Sequence, residues 1–174
     1  PAAAPNAEDL TQWRRQCAEL LAEPSRFTNA MSLTVAARDA LVASGMRRVM
    51  ILMADRTQSN LRVNQTAGLP KEAAALNFVV SQSKVLQRLL AQQAQVRINP
   101  ENNAQFSALL PASLRTLFRG EHLFLRSLVN NGRVIMIVVA DQGGGPFADI
   151  TVQAFGKTAQ CIEKALHSFS SRGR

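Results

Sequence analysis

The side chains that could bind a metal ion or act as nucleophiles are few. The 174 residues include two histidines, His122 and His167, and two cysteines, Cys17 and Cys161. Neither histidine has a cysteine or carboxylate at the spacing of a zinc site, and two cysteines in separate helical patterns provide no disulfide framework. We therefore expect no metal and no cofactor, and we interpret both cysteines as small buried side chains of a cytoplasmic protein.

Two aspartates are candidates for acid–base catalysis. Asp55 and Asp141 each follow a strongly apolar segment, so two strand ends could bring their carboxyl groups together as a dyad. The sequence leaves open whether the two strands run parallel or antiparallel, and therefore whether these ends meet. The catalytic pair is thus a hypothesis that depends on the strand directions.

A run of three glycines at residues 143–145 is the candidate phosphate-binding loop. It is followed by Pro146 and lacks both the lysine and the strand-to-helix glycine spacing of such loops. We interpret it as a flexible turn.

The formal net charge of +8 is suited to anionic partners. The arginines are spread along the chain, however, and the only adjacent pairs are Arg14-Arg15 and Arg47-Arg48. With no tyrosine and one tryptophan, the sequence also lacks the alternation of aromatic and basic residues that stacks on RNA. We interpret the charge as solvated surface and do not expect nucleic-acid binding.

The apolar segments are of strand length, so we expect no membrane span. Residues 49–54 and 134–140 are apolar at nearly every position, which predicts central strands covered on both faces. Residues 61–66 alternate and belong near a sheet edge, and residues 77–80 form a short strand. Asn131-Gly132 predicts a type I′ hairpin between residues 122–129 and 133–140.

Helical periodicity marks three longer helices and a loop-rich insertion. Residues 8–22 form an amphipathic helix that either packs on its own domain or pairs with a second copy. A second helix spans residues 29–44, with Asn29 or Thr28 as its cap and Gly45 as its end. The closing helix begins near Asp149. The insertion contains a helix capped by Ser81 or Ser83, an extended piece at 96–98, and short helices at 104–109 and 111–118, the last with Pro111 as its first helical residue.

This order of elements predicts an antiparallel sheet with the second and closing helices on one face and the insertion on the other. Several short segments, taken in order, resemble the C-terminal GAF-like domain of bacterial HDOD-domain signalling proteins over residues 29–166. They are Ala54-Asp55-Arg56, residues 99–102, 110–115 and 124–128, Ala140-Asp141, and residues 145–147.

The resemblance implies an α+β fold, a GAF/PAS-like antiparallel sheet flanked by helices, with an N-terminal helical extension. We therefore divide the chain into a linker with an amphipathic helix, residues 1–24, and a GAF-like domain, residues 25–174. An HDOD domain of the same polypeptide is expected before residue 1. HDOD domains have generally lost the metal ligands of related phosphohydrolases, and Ala-Asp endings of this kind form turns, so we expect no enzymatic activity.

The resemblance also implies a ligand site, because GAF domains often hold a small molecule between the sheet and the insertion. The sequence has no convincing cyclic-nucleotide signature and no cysteine placed for a bilin, so the ligand is unknown. For an anionic ligand the candidates are Arg115, Arg119 and Arg126, with Asn99 and Asn102 at the rim. The alternative is that these residues are surface ions and turn formers.

Two functions remain from this reasoning. The first is a non-catalytic sensory or regulatory module that binds a small ligand or relays a signal to the HDOD domain. The second is a structural interaction module that forms a homodimer through its terminal helices.

Overall fold

The centre of the structure is a pair of apolar strands. The computed structural model describes residues 7–22 and 29–172; the predicted linker at residues 1–6 and the proposed boundary after residue 24 lie outside the described residues. Strand β1, Arg48–Ala54, pairs antiparallel with β6, Arg133–Asp141. Residues 49–52 and 137–140 are fully buried, which confirms the prediction of central strands covered on both faces.

Four further strands extend this pair into a six-stranded antiparallel sheet. Its order is β3-β2-β1-β6-β5-β4. The short strands β3 and β4 form the two edges, and the segment predicted as an extended piece is the edge strand β4. The added strands are β2 (Asn60–Ala67), β3 (Asn77–Val79), β4 (Gln95–Ile98) and β5 (Leu123–Asn130).

The hairpin between β5 and β6 turns where the sequence predicted. Asn131 and Gly132 have φ angles of 54° and 76°, the positive values that a type I′ turn requires at both central positions. This local signal therefore defines the register of two neighbouring strands from Asn130↔Arg133 onward.

Three helices cover one face of the sheet. They are α1 (Ala7–Leu21), α2 (Ala30–Ala43) and α6 (Asp149–Arg172). Asn29 caps α2 through a capping box, in which its side-chain oxygen accepts from the Ser32 backbone N–H at 2.9 Å. The core beneath these helices contains Phe155 of α6 stacked on Phe124 of β5, with ring centroids 4.9 Å apart.

The N-terminal helix α1 packs on its own domain, against α2 and α6. The Trp13 indole N–H donates to the Thr158 hydroxyl of α6 at 2.7 Å. Leu20 is fully buried in the core below. Within the described residues, no helix combines the length and apolarity that crossing a membrane requires.

The insertion covers the opposite face. It comprises two 3₁₀ turns, Lys71–Ala75 and Val80–Gln82, and three helices, α3 (Lys84–Ala91), α4 (Asn103–Ser107) and α5 (Ala112–Leu117). Ser83 caps α3 by accepting from the Leu86 N–H. The prediction that Pro111 is the first helical residue was wrong: its ψ of 141° is extended, so Pro111 is the N-cap and α5 begins one residue later.

Candidate functional site

The space between the sheet and the insertion is where the sequence predicted a ligand. A cavity of about 80 Å³ remains there, whereas pockets that bind small molecules measure roughly 300–1,000 Å³. Its lining is mostly apolar: Ile98, Asn103, Ser107, Leu110, Leu114, Arg115, Phe118, Gly120 and Leu123. The space is therefore occupied largely by the protein's own side chains.

The filling follows from the apolar residues around α5. Leu114 lies on α5, Leu110 precedes the helix and Phe118 follows its last residue, and all three are buried. They belong to the same core as Leu125 of β5 and Val139 of β6. Leucine and phenylalanine thus hold the insertion against the sheet.

Asn99 and Asn102 form a turn between β4 and α4. The Asn99 side-chain oxygen accepts from the backbone N–H groups of Glu101 and Asn102, at 3.0 and 3.1 Å. The Asn102 side chain accepts from the Asn99 N–H at 2.8 Å and donates to the Arg97 carbonyl at 3.0 Å. Both amides are therefore used in local turn bonds.

The three candidate arginines do not form one cluster. Arg115 is exposed at the edge of the small cavity. Arg119 is exposed and donates to the carbonyl of Thr116 at 3.2 Å. Arg126 lies on the other face of the sheet, where its guanidinium donates to Gln95 at 2.9 Å and lies beside Gly156 of α6. The structure thus separates Arg126 from Arg115 by the thickness of the sheet.

The two candidate aspartates lie at opposite ends of the central strand pair. Asp141 is opposite Arg48 at the start of β1, whereas Asp55 follows the last residue of that strand. Because β1 and β6 are antiparallel, their carboxyl ends point in opposite directions. The geometry therefore excludes the catalytic dyad that the sequence left open.

Asp55 is a turn residue. Its carboxylate accepts from the backbone N–H groups of Ser59 and Asn60, at 2.9 and 3.3 Å, and from the Asn60 side chain at 3.2 Å. The Asn60 side-chain hydrogen bond, followed by these backbone bonds, lowers the pKa of this exposed carboxyl below its usual value. Such bonds agree with the turn role that the resemblance implied.

Asp141 makes a buried ion pair that the sequence analysis did not identify. Its carboxylate is fully buried and accepts from Arg48 Nε at 2.9 Å and from Arg48 Nη2 at 2.7 Å. It also accepts from the backbone N–H of Gly143 at 3.0 Å. The same Arg48 nitrogen donates to the Arg119 carbonyl at 2.7 Å, so one arginine joins β1, the end of β6 and the end of the insertion.

Two glycines allow this junction to close. Gly120 has a φ of 128° and Gly144 a φ of 92°, and a Cβ atom on Gly144 would lie 2.1 Å from the Arg119 carbonyl oxygen. The backbone N–H groups of Glu121 and His122 then donate to the Gly144 carbonyl. The glycine run that was the candidate phosphate-binding loop therefore allows the backbone at Gly144 to pass close to the backbone at Gly120.

A larger polar cleft, of about 430 Å³, lies at the far end of β1 and β2. Met53, Arg62 and Asn77 are direct cross-strand neighbours, so they share the helix-covered face of the sheet. The remaining lining consists of Ala54, Asp55 and Asn60. The alternating apolar and polar residues of β2 predicted that one of its faces is partly exposed. The sequence analysis did not predict a cleft there.

The two histidines lie on different parts of the fold, His122 just before β5 and His167 on α6. Across residues 7–22 and 29–172, no group of three or more histidine, cysteine, aspartate or glutamate side chains is placed to hold a metal ion. The ring of His122 contacts Phe147 edge-on, with centroids 6.4 Å apart. Cys17 and Cys161, by contrast, meet each other between two helices.

Comparison with solved structures gives the fold a name. The phycoerythrobilin-bound GAF domain from a cyanobacterial phytochrome matches with a TM-score of 0.72 and 10% identity, over 95% of this chain and 100% of that chain. The GAF domain/HD domain protein from Geobacter sulfurreducens matches with a TM-score of 0.64 and 18% identity, over 87% of this chain and 98% of that chain. No family model and no curated protein matches the sequence.

An enzyme shares the same architecture. Free methionine-R-sulfoxide reductase from Neisseria meningitidis, solved with its substrate, matches with a TM-score of 0.65 and 15% identity, over 99% of this chain and 98% of that chain. At such identities the likeness concerns the fold. The chain therefore has the α+β GAF fold that was expected, and its activity must be argued from its own residues.

The buried Arg48–Asp141 pair is open to a direct test. Asp141→Asn removes the charge that compensates Arg48, and we expect it to lower the free energy of unfolding by about 3 kcal/mol. Asp39→Asn is the matched control, because the Arg38–Asp39 pair is only half-buried, with both side chains open to solvent, and a solvent-accessible pair contributes about 0–1 kcal/mol. Urea unfolding measures both, and equal losses in the two variants would contradict the assigned role of Arg48.

Proposed function

We propose that this chain is a non-catalytic regulatory module of a bacterial signalling protein, and that it relays a signal through helix α1. The observation that carries the proposal is the pair of unlike interfaces on the two faces of the sheet. The insertion is held by a closely packed apolar core, whereas α1 is held at the surface by few buried side chains. The fold likeness to a phytochrome GAF domain and to a GAF/HD protein supports a regulatory role.

The interface of α1 suits a movable element. Of its described side chains, Cys17 and Leu20 are buried, and Trp13 is half-buried with its single hydrogen bond to Thr158. Elements with little buried apolar surface open at lower free energy than the core. A neighbouring domain attached before α1 can therefore change the docking of α1 without unfolding the sheet.

The HDOD domain implied by the sequence resemblance is the proposed neighbour. It would precede α1 in the same polypeptide, in the cytoplasm. Docking and release of α1 would then change the position of this neighbour, which is a population shift between two states. Because the insertion packs closely on the sheet and leaves a cavity of only about 80 Å³, we favour this relay over a small-ligand site at the candidate residues Arg115, Arg119, Asn99 and Asn102.

The docking of α1 is tested by hydrogen exchange. Trp13→Ala removes a large side chain and its bond to Thr158, so we expect the α1 amides to exchange roughly 10- to 100-fold faster, with β1 and β6 unchanged. Arg14→Ala, an exposed change on the same helix, is the matched control. If α1 exchanges as slowly as β1 in the wild type and Trp13→Ala accelerates both equally, α1 is not a separate element and the relay is wrong.

Thermal shift separates the relay from a small-ligand sensor. Phosphate, pyrophosphate and citrate are the probes, with potassium chloride at matched ionic strength as the control. A bound ligand at 100 times its Kd raises Tm by roughly 5 to 10 °C, and the relay predicts no saturable rise. A saturable rise abolished by Arg115→Ala and retained in Arg62→Ala would replace the relay with ligand sensing beneath the insertion.

A homodimer is the second candidate, and a specific surface favours it. Leu21, Met31 and Val42 are large apolar side chains that remain exposed on α1 and α2. Leu21 is the last residue of its helix and is 51% exposed. A second copy of the chain would cover this surface.

Light scattering tests the homodimer. We expect a wild-type dimer that Val42→Glu converts to a monomer, because a charge would be buried at the interface. Val79→Glu is the control, since Val79 is an exposed apolar residue on the edge strand β3. A wild type that stays monomeric at high concentration contradicts the dimer and leaves the relay within a single chain.

A further inference from the structure

The two cysteines of the chain meet at the interface between α1 and α6. Cys17 is buried on α1, and Cys161 is half-buried on α6. Across this interface Cys161 is close enough to Cys17 to raise the pKa of its thiol, and Thr158, whose hydroxyl accepts from Trp13 at 2.7 Å, neighbours the same thiol. The two residues are far apart in sequence, so helix packing alone brings their sulfur atoms together.

The register of the two helices holds this contact in place. Trp13 bonds to Thr158, and one helical turn later on both helices Cys17 contacts Cys161. Both contacts advance in the same direction, so α1 and α6 run parallel here. The cleft that Leu10 shares with Ala154, one turn before Trp13 and Thr158 respectively, continues the same alignment. Two regular helices, rather than loops, therefore present the thiols to each other.

We propose that Cys17 and Cys161 form a redox modification site, at which a peroxide oxidises the two thiols to an intramolecular disulfide that fastens α1 to α6. The S–S bond of about 2.0 Å requires the sulfur atoms to approach further from their present contact.

The chemistry balances with hydrogen peroxide as the oxidant. The sulfur of Cys161, the less buried of the two residues, attacks one peroxide oxygen; the O–O bond breaks, and water leaves with the proton of the thiol. The Cys17 sulfur then attacks the sulfenic sulfur of Cys161, the S–O bond breaks, and a second water leaves with the Cys17 proton. Two electrons pass from the two sulfurs to the peroxide.

The environments of the two thiols assign the order of these steps. Burial, followed by the neighbouring Cys161, raises the pKa of Cys17 to about 11. Cys17 is therefore protonated at neutral pH and reacts poorly with a free oxidant, because the thiolate is the nucleophile. It is suited instead to the second, intramolecular step, in which Cys161 is already oxidised in contact with it.

The experiment uses the folded chain treated with hydrogen peroxide, then denatured, alkylated and weighed by mass spectrometry. We expect the wild type to lose two hydrogen atoms and both alkylation sites, to remain a single chain, and to regain both thiols in dithiothreitol. The disulfide closes a long loop, so Tm should rise by roughly 5 to 15 °C. Cys17→Ser and Cys161→Ser are the matched controls and should show neither change.

Several results would overturn the redox site. These are oxygen addition at Cys161 with Cys17 still free, a disulfide between two chains, or loss of the thiols without a change in Tm. Cys17→Ala is the second variant if the serine disturbs folding.

The disulfide would act on the proposed relay, and the two ideas fail separately. If the disulfide forms but exchange in α1 matches that of the core before and after oxidation, the relay fails and the redox site stands. If Trp13→Ala frees α1 but no disulfide forms, the redox site fails and the relay stands.

Discussion

The structure depends on two antiparallel strands that are apolar on both faces. Neither β1 nor β6 has a polar side that could face water, so each face of the sheet requires its own covering layer. The helices α1, α2 and α6 cover one face, and the insertion covers the other. This demand for two layers explains why so much of the insertion is leucine and phenylalanine, and why little space is left beneath it for a ligand.

The local features of the fold could be predicted from the sequence because their causes are local. The apolar segments give the central strands, Asn131-Gly132 gives the hairpin, and Asn29 with Gly45 gives the limits of α2. Each signal depends on the conformational preference of a few neighbouring residues. The GAF fold then follows from the order of these elements.

The candidate site could not be predicted in the same way, because it depends on strand direction and on which face a side chain occupies. A shift of one residue along β5 moves a side chain to the other face of the sheet, and Arg126 lies on the face opposite Arg115. The antiparallel pairing likewise separates Asp55 from Asp141. The Arg48–Asp141 pair and the Cys17–Cys161 contact join residues distant in sequence, and no periodic pattern predicts either of them.

The two partners of the thiol contact are held with unequal strength, and this asymmetry determines which can move. Helix α6 stacks Phe155 on Phe124 and buries Ile162 in the core, and the Asp141 junction fixes the chain just before it. Helix α1 packs against α2 and α6, buries Leu20 and Cys17, and bonds to α6 through Trp13. A change at their interface therefore displaces α1 and leaves α6 in place, so the direction of any relay is set by the unequal packing of the two helices.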